Sequence, residues 1–212
     1  MIGNDGWRRW LVGAVLLCVL AATLFACGAK EHGPWKEPFD DAGDWKLSSD
    51  AAATVSVTDG VLRVHVFELG QVAWASAGRT YSDFRLTVEA TQVSGPDDNE
   101  YGVLVRMAGD QQFYVFSISG DGYARIARYN DGLWNILGPD WKLSDAIHQG
   151  AATNVLEVEA RGATFIFSVN GAQVLQVEDA QLAKGDIGLY AGAFNEANVV
   201  IDFDNLEVEP LQ

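Results

Sequence analysis

Between Val93 and Arg106 the chain reads VSGPDDNEYGVLVR, in which Asp97, Asp98, Asn99 and Glu100 follow one another between a Gly95-Pro96 turn and an apolar strand. Four adjacent oxygen-bearing side chains can accept from sugar hydroxyls or approach a cation. They lack the alternate spacing and central glycine of a compact calcium loop. The loop is therefore a solvated turn, a ligand or cation contact through Asp98, Asn99 and Glu100, or part of a catalytic site. Sugar recognition needs flat aromatic faces for the C–H side of the ring and a few planar polar groups for the hydroxyls. The central third of the chain supplies both kinds, in Arg106, Tyr114, Tyr123, Arg125 and Trp134. Strand alternation sets Arg106 against Val103, Val105 and Met107, places Tyr114 with Phe116 and Ile118, and places Tyr123 with Arg125 and Tyr129. Trp134 follows the Asn130 to Gly132 turn, where an exposed ring can form a rim. Packing between sheets is the competing reading for each ring. A buried guanidinium needs a partner, so Arg106 and Arg125 are the best candidates for a polar binding face.

Other chemistries are poorly served. Glu157 and Glu159 in LEVEA alternate with apolar residues and read as a solvated strand face. His32, His65 and His148 fall in separate segments, which leaves no catalytic triad and no zinc site to argue from them.

The elements that must hold these residues are strands. From residue 53 onward the apolar period is two, as in TVSVTDGVLRVHVFE and DFRLTVEATQV, where Phe84, Leu86, Val88 and Ala90 share a face. Asp59-Gly60, Asp121-Gly122, Asp131-Gly132, Arg161-Gly162 and Asn170-Gly171 punctuate the strands with residues that accept positive φ. About thirteen strands near ten residues apart predict an all-β, two-sheet antiparallel sandwich. SDAIHQG at 144–150 is the one helical candidate, and a short turn suffices there. DWKLSSDA at 44–51 nearly recurs as DWKLSDA at 140–146, without matching flanks.

Composition narrows the function. Lys and Arg number 14 against 29 Asp and Glu, a net charge of −15, which provides no electrostatic footprint for nucleic acid. Arg8 and Arg9 precede an apolar run from Trp10 to Ala26, about 17 residues and thus at the lower limit for spanning a bilayer. The Leu24-Phe25-Ala26-Cys27 that closes it resembles the bacterial lipobox. This resemblance implies cleavage before Cys27, lipidation of that cysteine, and an exported protein anchored to the extracytoplasmic face of the cell envelope without spanning it. The expected organisation is a signal peptide over 1–26, a lipidated cysteine and tether over 27–38, and the sandwich over 39–212. His32 and Trp35 then count as tether residues. With Cys18 and Cys27 both outside the sandwich, no disulfide can staple it.

FDDAGDWKL, the segment from AWASAGRTYSDF to DGLWNIL, VNGAQV, GDIGLYAG and VVIDFDNLEV together resemble the concanavalin A-like lectin and glucanase superfamily. Within it they are most similar to bacterial laminin-G-like and 3-keto-disaccharide hydrolase domains, over residues 39 to 209. The resemblance implies a jelly-roll sandwich with ligands on its concave face, and a carbohydrate partner. It also implies a possible structural calcium between Asp40, the Gly60 carbonyl and Asp204. Glucanases of the superfamily carry their acids as Glu-x-Asp-x-(x)-Glu; Asp202, Asp204 and Glu207 have similar spacing but begin with Asp and lie in the closing strand. A non-catalytic binding module is the leading expectation. A glycosidase and an envelope adhesion or assembly protein are the alternatives.

Overall fold

The computed structural model describes residues 30–212. Sixteen strands form two eight-stranded antiparallel sheets. The first holds β1 (Trp35–Glu37), β3 (Ala53–Thr58), β4 (Val61–Val66), β6 (Phe84–Ser94), β12 (Thr153–Arg161), β13 (Thr164–Val169), β14 (Ala172–Glu178) and β16 (Val199–Pro210). The second holds β2 (Lys46–Leu47), β5 (Val72–Ser76), β7 (Asn99–Met107), β8 (Gln112–Ile118), β9 (Tyr123–Asn130), β10 (Leu133–Ile136), β11 (Lys142–Leu143) and β15 (Asp186–Ala193). Their orders are β14-β13-β12-β6-β16-β4-β3, with β1 beside β16, and β10-β9-β8-β7-β15-β5-β2, with β11 beside β9. This is the expected jelly-roll sandwich.

Local chemistry accounts for several of the connections. Asp59-Gly60, Asp131-Gly132 and Asn170-Gly171 all have positive φ at both residues, the type I′ geometry whose twist matches flanking strands. They join β3 to β4, β9 to β10 and β13 to β14. The core lies between the sheets, where Phe84, Leu86, Val88 and Ala90 of β6 meet Tyr101, Val103 and Val105 of β7 and Tyr114, Phe116 and Ile118 of β8. Each large apolar side chain buried there contributes about 1.5–3 kcal/mol. A second, smaller cluster of Leu104, Met107, Phe113, Val115 and Tyr190, with Trp74 and Tyr129 against it, covers the outer face of the second sheet.

One expectation changes. The tether is structured from His32 onward: His32 exchanges two hydrogen bonds with Thr80, one through its backbone amide and one through Nδ1 accepting from the Thr80 amide, each 3.0 Å long. Trp35 sits in β1, with Arg79 stacked 4.3 Å from its ring centroid. A tryptophan that finds an aromatic and cationic neighbour gains more by docking than a solvated tether would. Residues 144–150 form turns, with the Ile147 amide donating to Ser144, and among the described residues there is no helix. The two DWKL copies build β2 and β11, short strands placed at opposite ends of the second sheet.

Candidate functional site

Antiparallel register lines up one row of residues across the outer face of the second sheet. Trp74 pairs with Tyr190, Tyr190 with Gly102, Gly102 with Ser117, and Ser117 with Arg125. Alternation turns all five away from the core, since Leu189, Tyr101, Phe116 and Ile126 beside them face inward. Gly102 leaves the middle of the row without a side chain.

Glu100, two residues before Gly102 and on the same face, lies against this row. Its side chain is almost wholly enclosed and accepts three hydrogen bonds. Arg125 Nη2 donates to both Glu100 oxygens at 2.8 Å, and Ser117 Oγ donates to Oε1 at 2.6 Å. Burial is the largest single influence on Arg125 and acts to lower its pKa, but Glu100, Tyr190 and Asp140 together outweigh it and the net shift is upward. The arginine is sandwiched by indoles, 4.5 Å from the Trp141 centroid and 5.9 Å from that of Trp134. Tyr190 is pushed well above the usual phenol range, first by burial and then by the Glu100 charge. Its hydroxyl has Glu100 and Ser117 as polar neighbours but makes no hydrogen bond of acceptable geometry.

Two cavities lie near this row, one lined by Trp141 and the other by Trp134. The larger, about 400 Å³, opens at one end of the sheet between Asp98, Ser119, Asp121, Tyr123, Trp141 and Phe194. Trp141 and Phe194 meet there edge to face, with centroids 6.3 Å apart. The smaller, about 40 Å³, lies toward Trp134 and Trp74. Aromatic faces beside carboxylates and an arginine suit a neutral polyhydroxylated ligand. Asp98 and Asp121 on the larger cavity, with Glu100 and Asp140 already paired to Arg125, disfavour an anionic one.

The acidic loop divides between scaffold and site. Asn99 is buried: its Nδ2 donates to Gln92 Oε1 at 2.9 Å and to the Pro96 carbonyl at 2.6 Å, and its Oδ1 accepts from the Gly120 amide at 2.9 Å. The Asp97 carbonyl accepts from the Asn99 and Asp121 amides, while its carboxylate accepts from Gln92. A Cβ on Gly120 would lie 2.1 Å from Gln92 Oε1, so the two loops close only on glycine. Asp98 is exposed on the cavity rim, bonded to Asn195. Glu100 is the floor.

Of the predicted ligand residues, Asp98, Asn99 and Tyr123 border the larger cavity, and Glu100 and Trp134 border the smaller. Arg125 lines neither but contacts a tryptophan of each, Trp141 and Trp134. Arg106 and Tyr114 are corrections. A bulge opposite Asp186 to Gly188 puts Arg106 at φ 50°, which breaks the alternation and sends its side chain inward while Met107 joins the outer face. Arg106 is 1% exposed and donates to the carbonyls of Ser82, Gly162 and Leu182, with Phe165 4.8 Å below it. Tyr114 is also in the core, and its hydroxyl donates to Asp179 Oδ1 at 2.6 Å. Both residues lock loops to the sandwich and neither faces a ligand. Trp141, Asp121, Phe194, Ser117 and Tyr190 were missed. Trp141 alone carried a sequence signal, a tryptophan after the Gly138-Pro139-Asp140 turn.

Glu157, Glu159, Asp202, Asp204 and Glu207 lie on the first sheet. Asp202 binds Arg63 through two hydrogen bonds of 2.7 Å, Glu207 pairs with Lys36, and Glu159 with Arg85. Asp40, Gly60 and Asp204 lie on segments that meet near one bulge of β16, since β1 pairs with Leu206–Val208 and β4 with Val199–Phe203. They supply two carboxylates and a carbonyl, against the six to eight oxygens calcium takes. Among the described residues no group of three or more His, Cys, Asp or Glu is arranged to hold a metal. Cys27 and the signal segment lie outside the described residues.

Among curated proteins none matches the chain. The fold is shared with carbohydrate binding module CBM66 from Bacillus subtilis (15% identity, 78% of this chain and 95% of that one, TM-score 0.65). It is also shared with a Bacillus licheniformis beta-glucanase (12%, 86% and 100%, 0.64) and a Bacillus subtilis protein of unknown function with a galectin-like fold (13%, 85% and 97%, 0.67). Residues 34–209, from β1 to the end of β16, match the model of the 3-keto-alpha-glucoside-1,2-lyase-like domain, and the chain belongs to that family.

Proposed function

We propose that the chain is an exported, lipid-anchored protein that binds a neutral glycan on the outer face of its second sheet. The observation that carries this is the enclosed Glu100–Arg125 pair stacked under Trp141 at the edge of a cavity of about 400 Å³. A sugar ring laid on Trp141 has acceptors at Asp98 and Asp121 and leaves the ion pair undisturbed beneath it. Binding without catalysis is favoured because Glu100 is committed to Arg125 and Ser117, and a general acid or base needs a proton it can exchange. The carbohydrate-binding module and the glucanase that share the fold support a glycan ligand without choosing between the two activities. Anchoring rests on the Leu24 to Cys27 segment.

A glycan array probed with the full-length chain in detergent tests the reading, with Trp141→Ala as control. Binding to a related set of glycans that the variant loses by tenfold or more is expected. A blank array with folded protein removes it. Release of free sugar from a bound glycan would transfer the assignment to the enzyme reading.

A further inference from the structure

The larger cavity and the point where the chain enters the sandwich lie at opposite ends of the second sheet, and β7 runs from one to the other. Asn99, its first residue, pairs with Ala193, and the cavity lies just beyond that pair, between Asp98, Asp121 and Phe194. Met107, its last residue, pairs with Asp186. Gly185 then bridges to Tyr81, and the neighbouring Thr80 exchanges two hydrogen bonds of 3.0 Å with His32. The nine residues of β7 span about 25 Å at a rise of about 3.4 Å each. Cys27 precedes His32 by five residues, a leash of at most about 18 Å.

A leash shorter than the strand decides which end faces the bilayer. Turning the cavity toward the lipid that carries the anchor lifts the entry point about 25 Å from that surface, beyond the reach of the leash. Lying flat is opposed by the net charge of −15, because anionic headgroups repel acidic flanks. Building on the proposed anchor and glycan site, we infer that the domain stands on its Met107 end and takes a glycan held away from the membrane, a soluble or polymeric chain, with the sugar headgroups of its own bilayer out of reach. The exclusion is geometric, so it separates two sources of one chemistry: the same sugar binds when free and escapes when it is a headgroup beside the anchor.

The test uses the full chain, expressed with its leader, purified in detergent and reconstituted into vesicles of phosphatidylcholine and phosphatidylglycerol. Cleavage and acylation at Cys27 leave no free cysteine, so a single substitution carries a fluorescent label to either end. Gln111→Cys lies in the turn after β7; Leu69, 61% exposed, lies beside Gly70, whose amide donates to Ala193, and Leu69→Cys marks the cavity end. Energy transfer to acceptor lipids is expected to be at least about twofold more efficient from the Gln111 site than from the Leu69 site. A glycan found on the array should bind the anchored protein as a free oligosaccharide within about twofold of its Kd in detergent. The glycolipid bearing that glycan should compete in detergent and fail to compete from the protein's own vesicle. Equal transfer from the two labels, or competition by the glycolipid within the vesicle, overturns the inference and leaves anchoring and glycan binding standing. A chain found without acyl groups by mass spectrometry removes the anchor, a blank array removes the glycan site, and either takes this inference with it.

Discussion

Replacing Arg125 with Met tests whether Glu100 is a buried, partnered carboxylate. Met keeps an apolar stem against Trp141 but removes the charge and both 2.8 Å hydrogen bonds to Glu100. The Glu100 side chain is 4% exposed, and Ser117 Oγ is its remaining donor. Breaking a buried pair from one side costs about 3–5 kcal/mol, because the charge left behind can neither ionise cheaply nor reach water. At about 2–4 °C per kcal/mol this is a fall in Tm of about 6–20 °C. Urea unfolding followed by tryptophan fluorescence at pH 7 should show this deficit directly. The double variant Glu100→Gln with Arg125→Met should recover most of the loss at pH 7. A deficit below about 1 kcal/mol at pH 7, or no recovery in the double variant, would show that Glu100 is solvated and the account of the floor is wrong.

Arg106→Lys should destabilise the fold by about 2–4 kcal/mol, because one ammonium cannot reach the Ser82, Gly162 and Leu182 carbonyls that the guanidinium spans. Glycan affinity in the folded variant should be unchanged, and a loss of affinity with stability intact would return Arg106 to the site. Burial raises the pKa of Tyr81, Tyr114 and Tyr190, and pushes Tyr101 up to about 12. Groups raised in the folded state add stability below their unfolded pKa of about 10 that is lost as pH rises through the folded values. Alkaline unfolding should accordingly begin above pH 10, and absorbance at 295 nm should show these phenols ionising together with unfolding instead of ahead of it. If calcium binds where Asp40, Gly60 and Asp204 converge, millimolar calcium will raise the Tm and Asp204→Ala will abolish the rise; an unchanged melt in calcium and in chelator refutes the site.

Much of this architecture is written locally. Alternation in β6 places Phe84, Leu86, Val88 and Ala90 inward as expected. The Asp-Gly and Asn-Gly dipeptides make three type I′ hairpins because their φ preference depends on two residues and little else. Arg125 and Tyr123 are also assigned to the correct face by counting alone. The failures have a common cause. One extra residue at the Arg106 bulge inverts the strand pattern, and the bulge depends on pairing with Asp186 and Gly188, nearly eighty residues away. The pairing of Glu100 with Arg125, and the row from Trp74 to Arg125, depend on the register of five strands that no local pattern specifies. By itself the sequence determined the fold class, the turns, the acidic surface and the expectation of a lipid anchor, all of which follow from composition and short-range geometry. Only the tertiary structure decided which polar residues meet, because a buried ion pair and the aromatic cavity beside it are made by side chains that the register of distant strands brings to one face.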